Sequence, residues 1–255
     1  MSAKHDDRRT VQAVETAFAI VETIDEMQEA GVSEVADELS IAKSTTHKHL
    51  QTLEKCEYVV REDGRYRLSL QFLKLGKHVL SQVEIAQHAQ QPIDQLAEET
   101  GEAVWTAIEE HGRAVYVNKA LGERAVSSRG GIGSETEMHC GAIGKALLAH
   151  LSTDRVDEII DRHGLPERTP HTITTREELL EELDNIRERG IAFNRGESLR
   201  GLRAVGSPVI HDGELKGALA IAGAENRMKG GYFEEELPEL VRGTANEIEL
   251  EIAYS

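Results

Sequence analysis

The apolar positions near the start of the chain recur at intervals of three and four. Val11, Val14, Phe18, Val21, Ile24 and Met27 form one stripe, which predicts a helix over about 10–29, closed by Gly31. A second helix follows over 32–39, with Ser33 as its N-cap and Glu34 favourable in the first turn. Val35, Leu39 and Ile41 face a small core. Ser40-Ile41-Ala42 makes a tight turn, and a third helix runs from Lys43 to about Lys55 or Cys56. In that helix Thr46, Leu50 and Leu53 share a face. Lys43, Ser44, Thr45, His47, Lys48 and Gln51 are left to point outward. The period then changes to two. Residues 58–61 and 65–68 read as strands around Glu62-Asp63-Gly64, and an Asp-Gly pair between strands marks a hairpin. Three helices and a hairpin make a winged helix-turn-helix, with the third helix as the reader in a DNA major groove.

Residues 69–100 are helical in pattern with an interruption. Leu70, Leu73, Val79, Leu80 and Val83 form a stripe too large for a small winged domain to hide, and a linker helix pairing with a second copy would bury it. Pro92 sits at a natural boundary, and Gly101 closes the helix before it. The pattern divides the chain into a flexible tail (1–9), a winged domain (10–76), a linker helix (77–90) and a second domain (91–255).

The second domain alternates strands and helices. Strands are expected over 102–108 and 113–118 about a turn at 109–112, and a third over 124–128. Gly130-Gly131-Ile132-Gly133 makes a loop, and helices are expected over about 140–150 and 154–163. Thr174 with Glu177 forms a capping box for a helix ending at Gly190. Two later strands, 203–210 and 215–222, flank a turn at His211-Asp212-Gly213, and the last helix covers about 233–252. The expected class is α+β, with a five- or six-stranded antiparallel sheet and helices packed against it.

Composition narrows the function. Of 255 residues, 39% are hydrophobic and 29% charged. No apolar run is long enough to span a bilayer, and nothing resembles a signal peptide, so a cytoplasmic protein is expected. Cys56 and Cys140 supply neither a disulfide framework nor a structural zinc set, so no metal and no cofactor are expected. The net charge of −17 is unusual for a DNA binder. Residues 1–75 carry 10 Lys+Arg against 14 Asp+Glu, and the rest 19 against 32. Acidic surfaces with 10 lysines against 19 arginines suit a cytoplasm at molar salt. There the Debye length is about 3 Å, so the global field scarcely reaches the duplex and local cations decide binding. A salt-loving source organism is the expectation.

The candidate DNA contacts are Lys43, Ser44, Thr45, His47, Lys48 and Gln51, with Arg61, Arg65 and Arg67 on or near the wing. Ser44 and Thr45 suit phosphate near a helix start. Gln51 has the chemistry to read adenine and Lys48 to reach guanine. His49 is expected half-buried, and Tyr66 and Leu68 are candidates for the core face. In the second domain a small anion needs donors. Gly130, Gly131 and Gly133 offer backbone. His139 and the helix start at Cys140-Gly141 offer N–H groups, and Glu197 and Arg203 are further candidates. Cys140 beside His139 lacks an orienting Asp or Asn, so a packed thiol is the better reading than a nucleophile. No catalytic set is found. Lys145, amid alanines and leucines, either snorkels or pairs with a carboxylate.

Several separated segments together resemble the IclR family of transcription regulators, from about Thr10 to Ile252. Lys43-Ser44-Thr45 with His47, Leu50, Thr52 and Leu53 is similar to the family's reader helix, and Gly64-Arg65-Tyr66-Arg67-Leu68 to its wing. Met138-His139-Cys140 followed by Gly144-Lys145-Ala146-Leu147-Leu148-Ala149 resembles its effector-domain helix. Thr172-Ile173-Thr174, Arg187 with Arg189-Gly190-Ile191-Ala192, then Glu197, Gly201, Arg203 and Pro208-Val209 resemble later motifs. The resemblance implies a dimer, or a tetramer built of dimers, that binds palindromic double-stranded DNA. It also implies a GAF-like second domain that binds a small effector, often a carboxylic or sugar acid. Some positions depart from the pattern. Thr46 and His49 stand where valine and leucine are common. Ala204 stands in place of a cysteine, and Ala220 and Ala222 in place of small hydroxyl residues. These alanines remove donors from the expected effector pocket and favour a less polar or differently oriented ligand. Two rivals compete with this reading: a small-molecule-binding or enzymatic domain with a vestigial winged domain, and a winged protein used for protein assembly.

Overall fold

The computed structural model describes residues 10–125 and 130–255. The predicted tail 1–9 and residues 126–128 of the predicted strand at 124–128 lie outside them. Arg124 and Ala125, the described start of that strand, are not in strand conformation. The chain forms two compact units that divide between Val79 and Leu80.

The first unit contains α1 (Gln12–Met27), β1 (Ala30–Gly31), α2 (Val32–Glu38), α3 (Lys43–Lys55), β2 (Val59–Glu62) and β3 (Arg65–Leu68), and α4 (Gln71–Leu80) begins within it. Its core is built from Ile20, Ile24, Val35, Leu50, Val59 and Tyr66. The apolar stripe expected along α1 proves to be two stripes. Ile20, Thr23 and Ile24 face the core, whereas Val11, Val14 and Phe18 are 65%, 52% and 60% exposed. A run at three-four spacing drifts around the helix, so Ile24 shares its face with Ile20 rather than with Phe18. Ser33 does not cap α2. The cap position is Gly31, whose N–H donates to Glu34 Oε2 at 2.7 Å. The short β1 was not foreseen. It pairs Ala30 with Tyr66 and Gly31 with Arg65, and two residues carry no readable period. The wing closes with Asp63 and Gly64 at φ 49° and 83°. Both central residues are left-handed, as a type I′ hairpin requires. Leu70, Leu73, Leu75 and Val79 are exposed, whereas Leu80 and Val83 of the expected stripe are half-buried against the second unit's core, and the helix expected over 77–90 is interrupted at 81–83.

The second unit contains α5 (Glu84–His88), α6 (Gln90–Thr100), β4 (Ala103–Glu110), β5 (Arg113–Leu121), β6 (Glu135–Thr136) and α7 (Ala142–Leu148). These are followed by α8 (Thr153–His163), α9 (Arg176–Arg189), β7 (Ala192–Arg195), β8 (Leu202–His211), β9 (Glu214–Ala224) and α10 (Leu237–Ala253), the last preceded by a π-helical turn at Tyr232–Glu236. Six antiparallel strands run in the order β6-β5-β4-β9-β8-β7. Pro92 sits just after the break between α5 and α6. It is buried in the first turn of α6, where a missing N–H costs nothing. The capping box of α9 sits one residue later than expected. Thr175 Oγ1 accepts from Glu178 N at 3.3 Å and donates to Glu178 Oε2 at 2.8 Å, a register the Thr-Thr and Glu-Glu pairs equally allow.

The two faces of this sheet are chemically unlike. Val104, Val117, Val205, Leu219 and Ile221 pack against α5, α6 and α10. The alternate positions Ala103, Ala107, Ala114, Ala192, Ala218 and Ala220 face the cluster built from α7, α8 and α9. Large residues fill one face and alanines leave room on the other. Trp105 and Tyr116 also lie on the alanine face, their rings 4.6 Å apart at 44°.

Candidate nucleic-acid interface and ligand cavity

Leu50 anchors α3 in the first core, and Thr46 is buried beside it with its hydroxyl bonded to Ala42 O at 3.3 Å. That fixes which face turns outward. Lys43, Ser44, Thr45, His47, Lys48 and Gln51 are exposed together on it, and His49 is half-buried at its edge. The N-cap residue Ala42 has no side-chain acceptor, so the first N–H groups of the helix are left to an external one. The wing arginines are placed differently from one another. Arg65 turns back on its own domain, at 2.9 Å from both Glu29 and Glu34, and donates to Glu29 O at 3.0 Å. The Gly31 N–H, and then Arg65, hold the Glu34 carboxyl below its usual range. Arg67 donates to Glu62 at 2.7 Å. Arg61 lies over the Tyr66 ring, 5.6 Å from its centroid.

In the second unit a cavity of about 480 Å³ opens between the alanine face of the sheet and the start of α7. The sheet contributes Ala103, Trp105, Tyr116, Ala204, Ala220 and Ala222, and the helix start contributes Gly141, Ala142 and Ile143. The segment around β6 adds Gly130, Ser134, Glu135 and Thr136. Asn194 of β7, Leu202 of β8 and, between the two strands, Ser198 and Leu199 complete the lining. Of the residues expected at an effector site, Gly130, Gly141, Ala204, Ala220 and Ala222 line this space. Gly131, His139, Cys140, Glu197 and Arg203 do not. Gly131 is exposed on its loop, and Gly133 N–H is spent on Tyr116 O at 2.8 Å. His139 is buried with Nε2 3.1 Å from Pro166 O, and burial lowers its pKa. Cys140 is buried with its thiol 3.8 Å from Glu137 Oε2. Burial first, and then Glu137, push that thiol up to about 12, so it stays protonated and is no nucleophile at neutral pH. Arg203 is held by Glu225 at 2.9 Å and Met228 O at 3.1 Å.

Glu197 pairs with Lys145. That lysine is 1% exposed, its Nζ 2.5 Å from Glu197 and 3.6 Å from Glu182. Asn194 Oδ1 accepts from the N–H groups of Gly196 and Glu197 at 3.0 and 2.8 Å, and its Nδ2 donates to Ser198 Oγ at 2.6 Å. Glu197 thus anchors the loop that carries Ser198 and Leu199 to the cavity. Glu137, His139 and Cys140 offer ligand atoms within 4.8 Å of one another, a metal-like grouping. Glu137 is bonded to Arg168, and His139 Nε2 lies 3.1 Å from Pro166 O. Sequence reasoning missed Trp105, Tyr116, Asn194 and Ser198. The signal that points to the first two is the strand alternation that puts aromatic rings among alanines.

A helix-turn-helix with a polar outward reader face, in a chain whose second unit holds a partly apolar cavity, defines a ligand-responsive DNA-binding regulator. Family models agree segment by segment. The IclR helix-turn-helix domain matches residues 13–63, and the bacterial transcriptional regulator IclR C-terminal domain matches 77–250. The chain belongs to the IclR family of transcription regulators. It is 29% identical over 222 residues to the HTH-type transcriptional regulator XynR of Escherichia coli K12, covering 86% of this chain and 88% of that protein. It is 26% identical over 256 residues to the probable HTH-type transcriptional regulator ArcR of Halobacterium salinarum, covering 98% and 97%. The crystal structure of the Thermotoga maritima IclR superposes with a TM-score of 0.77 at 28% identity over 95% of this chain and 98% of that one. The family and these relatives are transcription regulators, not enzymes. No helix among the described residues is long and apolar enough to cross a membrane.

Proposed function

We propose that the protein is a cytoplasmic regulator that binds a palindromic operator as a dimer and is controlled by a small organic acid held in the second domain. The observation that carries the reading is the exposed face of α3, where Ser44, Thr45, Lys48 and Gln51 stand together without a bulky obstruction. In this reading Ser44, Thr45 and Lys43 meet phosphate, Lys48 and Gln51 read base edges, and His47 borders them. Arg61 is the wing cation that reaches the duplex, while Arg65 and Arg67 hold the wing in shape.

The dimer forms through the uncovered apolar faces of α1 and α4, and a tetramer is a pair of such dimers. Residues 77–90 link the two functions. Two reader helices must meet the duplex about one turn apart, roughly 34–36 Å. An effector that binds one spacing of the winged domains better than another then shifts DNA affinity by its difference in affinity for the two. The acidic surface supports a salt-rich cytoplasm as the working medium. Immunoprecipitation of the tagged protein from its host on different carbon sources tests the reading, followed by duplex titration of the recovered sites in molar potassium chloride. Discrete peaks upstream of catabolic genes, bound tightly in that salt, are expected. Absence of peaks under every condition would sink it.

A further inference from the structure

The cavity has a second compartment at its rim, and its chemistry differs from that of the interior. The two adjoin at Glu135, Thr136 and Ser198, which line both, and the rim cleft holds about 380 Å³. Among the described residues no cationic side chain lines the interior; Lys119 stands beside it, its Nζ 4.4 Å from the Trp105 ring centroid and spent on Gly130 O at 2.9 Å. The rim carries two, Arg113 and Arg168.

Their donors are unequally spent. Arg168 is locked on Glu137, with Nε and Nη2 donating to its two oxygens at 2.7 and 2.5 Å. That bidentate bond, and then the charge of Arg168, hold the Glu137 carboxyl below its usual range, so it stays an anion. Arg113 reaches only to 3.8 Å from the same carboxylate, beyond hydrogen-bonding distance. Its side chain is 29% exposed. Cys140 adds no competing charge, since its thiol keeps its proton. Glu135 is the further carboxylate at the rim. It is exposed, where water and salt screen it.

We propose that this rim is the anion subsite of the effector site: an organic acid rests its apolar body on Trp105 and Tyr116 and turns its carboxylate to Arg113, with Thr136 and Ser198 as hydroxyl donors. The inference rests on reading the cavity as the effector site and sharpens that reading, because it moves the anion from the glycine loop and the start of α7 to the rim. Glu137 then acts as an internal competitor for the same guanidiniums. The ligand class that fits is a monocarboxylate with a flat or branched apolar body.

The experiment is calorimetric titration of the full-length protein with phenylacetate and with phenylacetamide, which share a body and differ in charge. The wild type should bind the acid about tenfold or more tighter than the amide, the effect of one charge-assisted hydrogen bond. Arg113→Gln should erase that preference and leave amide affinity within about twofold. Glu137→Gln should tighten the acid by about threefold or more and leave the amide unchanged, a gain that a merely structural role for Glu137 would not produce. Equal binding of acid and amide by the wild type, or a preference that survives Arg113→Gln, overturns the rim subsite and leaves the cavity as the effector site. Failure of both probes to bind, or undiminished binding by the cavity-filling variant Ala220→Trp, overturns the effector reading of the cavity and the rim with it. Thermal melting of each variant identifies any that has failed to fold.

Discussion

At the residue scale, Lys145 decides the most. Its ammonium is removed from water, and a buried charge without a partner costs far more than a buried pair gains. Lys145→Met should therefore destabilise the second domain by about 3–5 kcal/mol, while Lys145→Met combined with Glu197→Met should recover most of the loss. Denaturant titration of both variants decides this, and equal destabilisation by the two would refute it. Cys140 makes a second test. Its thiol should resist alkylation at pH 8 while exposed Cys56 reacts within minutes, as mass spectrometry of each site would report. The same proton makes stability fall in alkali. The unfolded thiol releases near its ordinary 9.0 and the folded one near 12, so this contribution is whole below pH 9 and is lost as the pH climbs from 9 towards 12. A Cys140→Ser variant should lack that part of the alkaline loss. The sequence made Lys145 conspicuous as a lone cation among alanines, but it did not give the partner, because Glu197 lies 52 residues away.

At the scale of elements, α3 and the wing divide the work of DNA binding. A good base contact discriminates by about 1–3 kcal/mol, so Lys48→Ala and Gln51→Ala should each flatten sequence preference by that amount in fluorescence-anisotropy titrations. Arg67→Ala should change operator affinity by less than about twofold, because its guanidinium turns to Glu62 on the wing rather than outward. A tenfold loss on Arg67→Ala would show that the wing pairs open and grip phosphate. The reader helix and the wing hairpin were legible because each is short, local and punctuated, by the turn Ser40-Ile41-Ala42 and by Asp63-Gly64. The edge strands β1, β6 and β7 were not. β1 and β6 have two residues each, too few for a period, and β7 has no Asp-Gly turn beside it to mark it as the wing strands do; pairing makes them strands.

At the scale of the whole molecule, uncovered apolar surface asks for a partner. Val11 at the start of α1, Val14 and Phe18 on it, and Leu73 and Val79 on α4 are each more than half exposed. Surface of this kind marks an interaction face. Phe18→Glu or Leu73→Glu should shift the protein towards monomer in sedimentation velocity and weaken binding to a palindromic site more than to a half-site. A variant that stays dimeric with full operator affinity would place the interface elsewhere. The net charge of −17 makes the medium part of the experiment, so both measurements belong in molar salt.

The sequence by itself determined the order of elements, the winged helix-turn-helix, the polar face of α3, the antiparallel α+β second domain and the family. These rest on local periodicity, turn residues and motif order, which are written along the chain. Tertiary structure decided what lies far apart in sequence and close in space. It split the α1 stripe into a core face and an uncovered one. It turned Arg65 inward to Glu29 and Glu34, paired Lys145 with Glu197, and set Trp105 and Tyr116 over an alanine floor. The reason is physical: a pattern fixes which face of an element is apolar, but only packing fixes what that face meets, and a cavity exists only where the meeting leaves room.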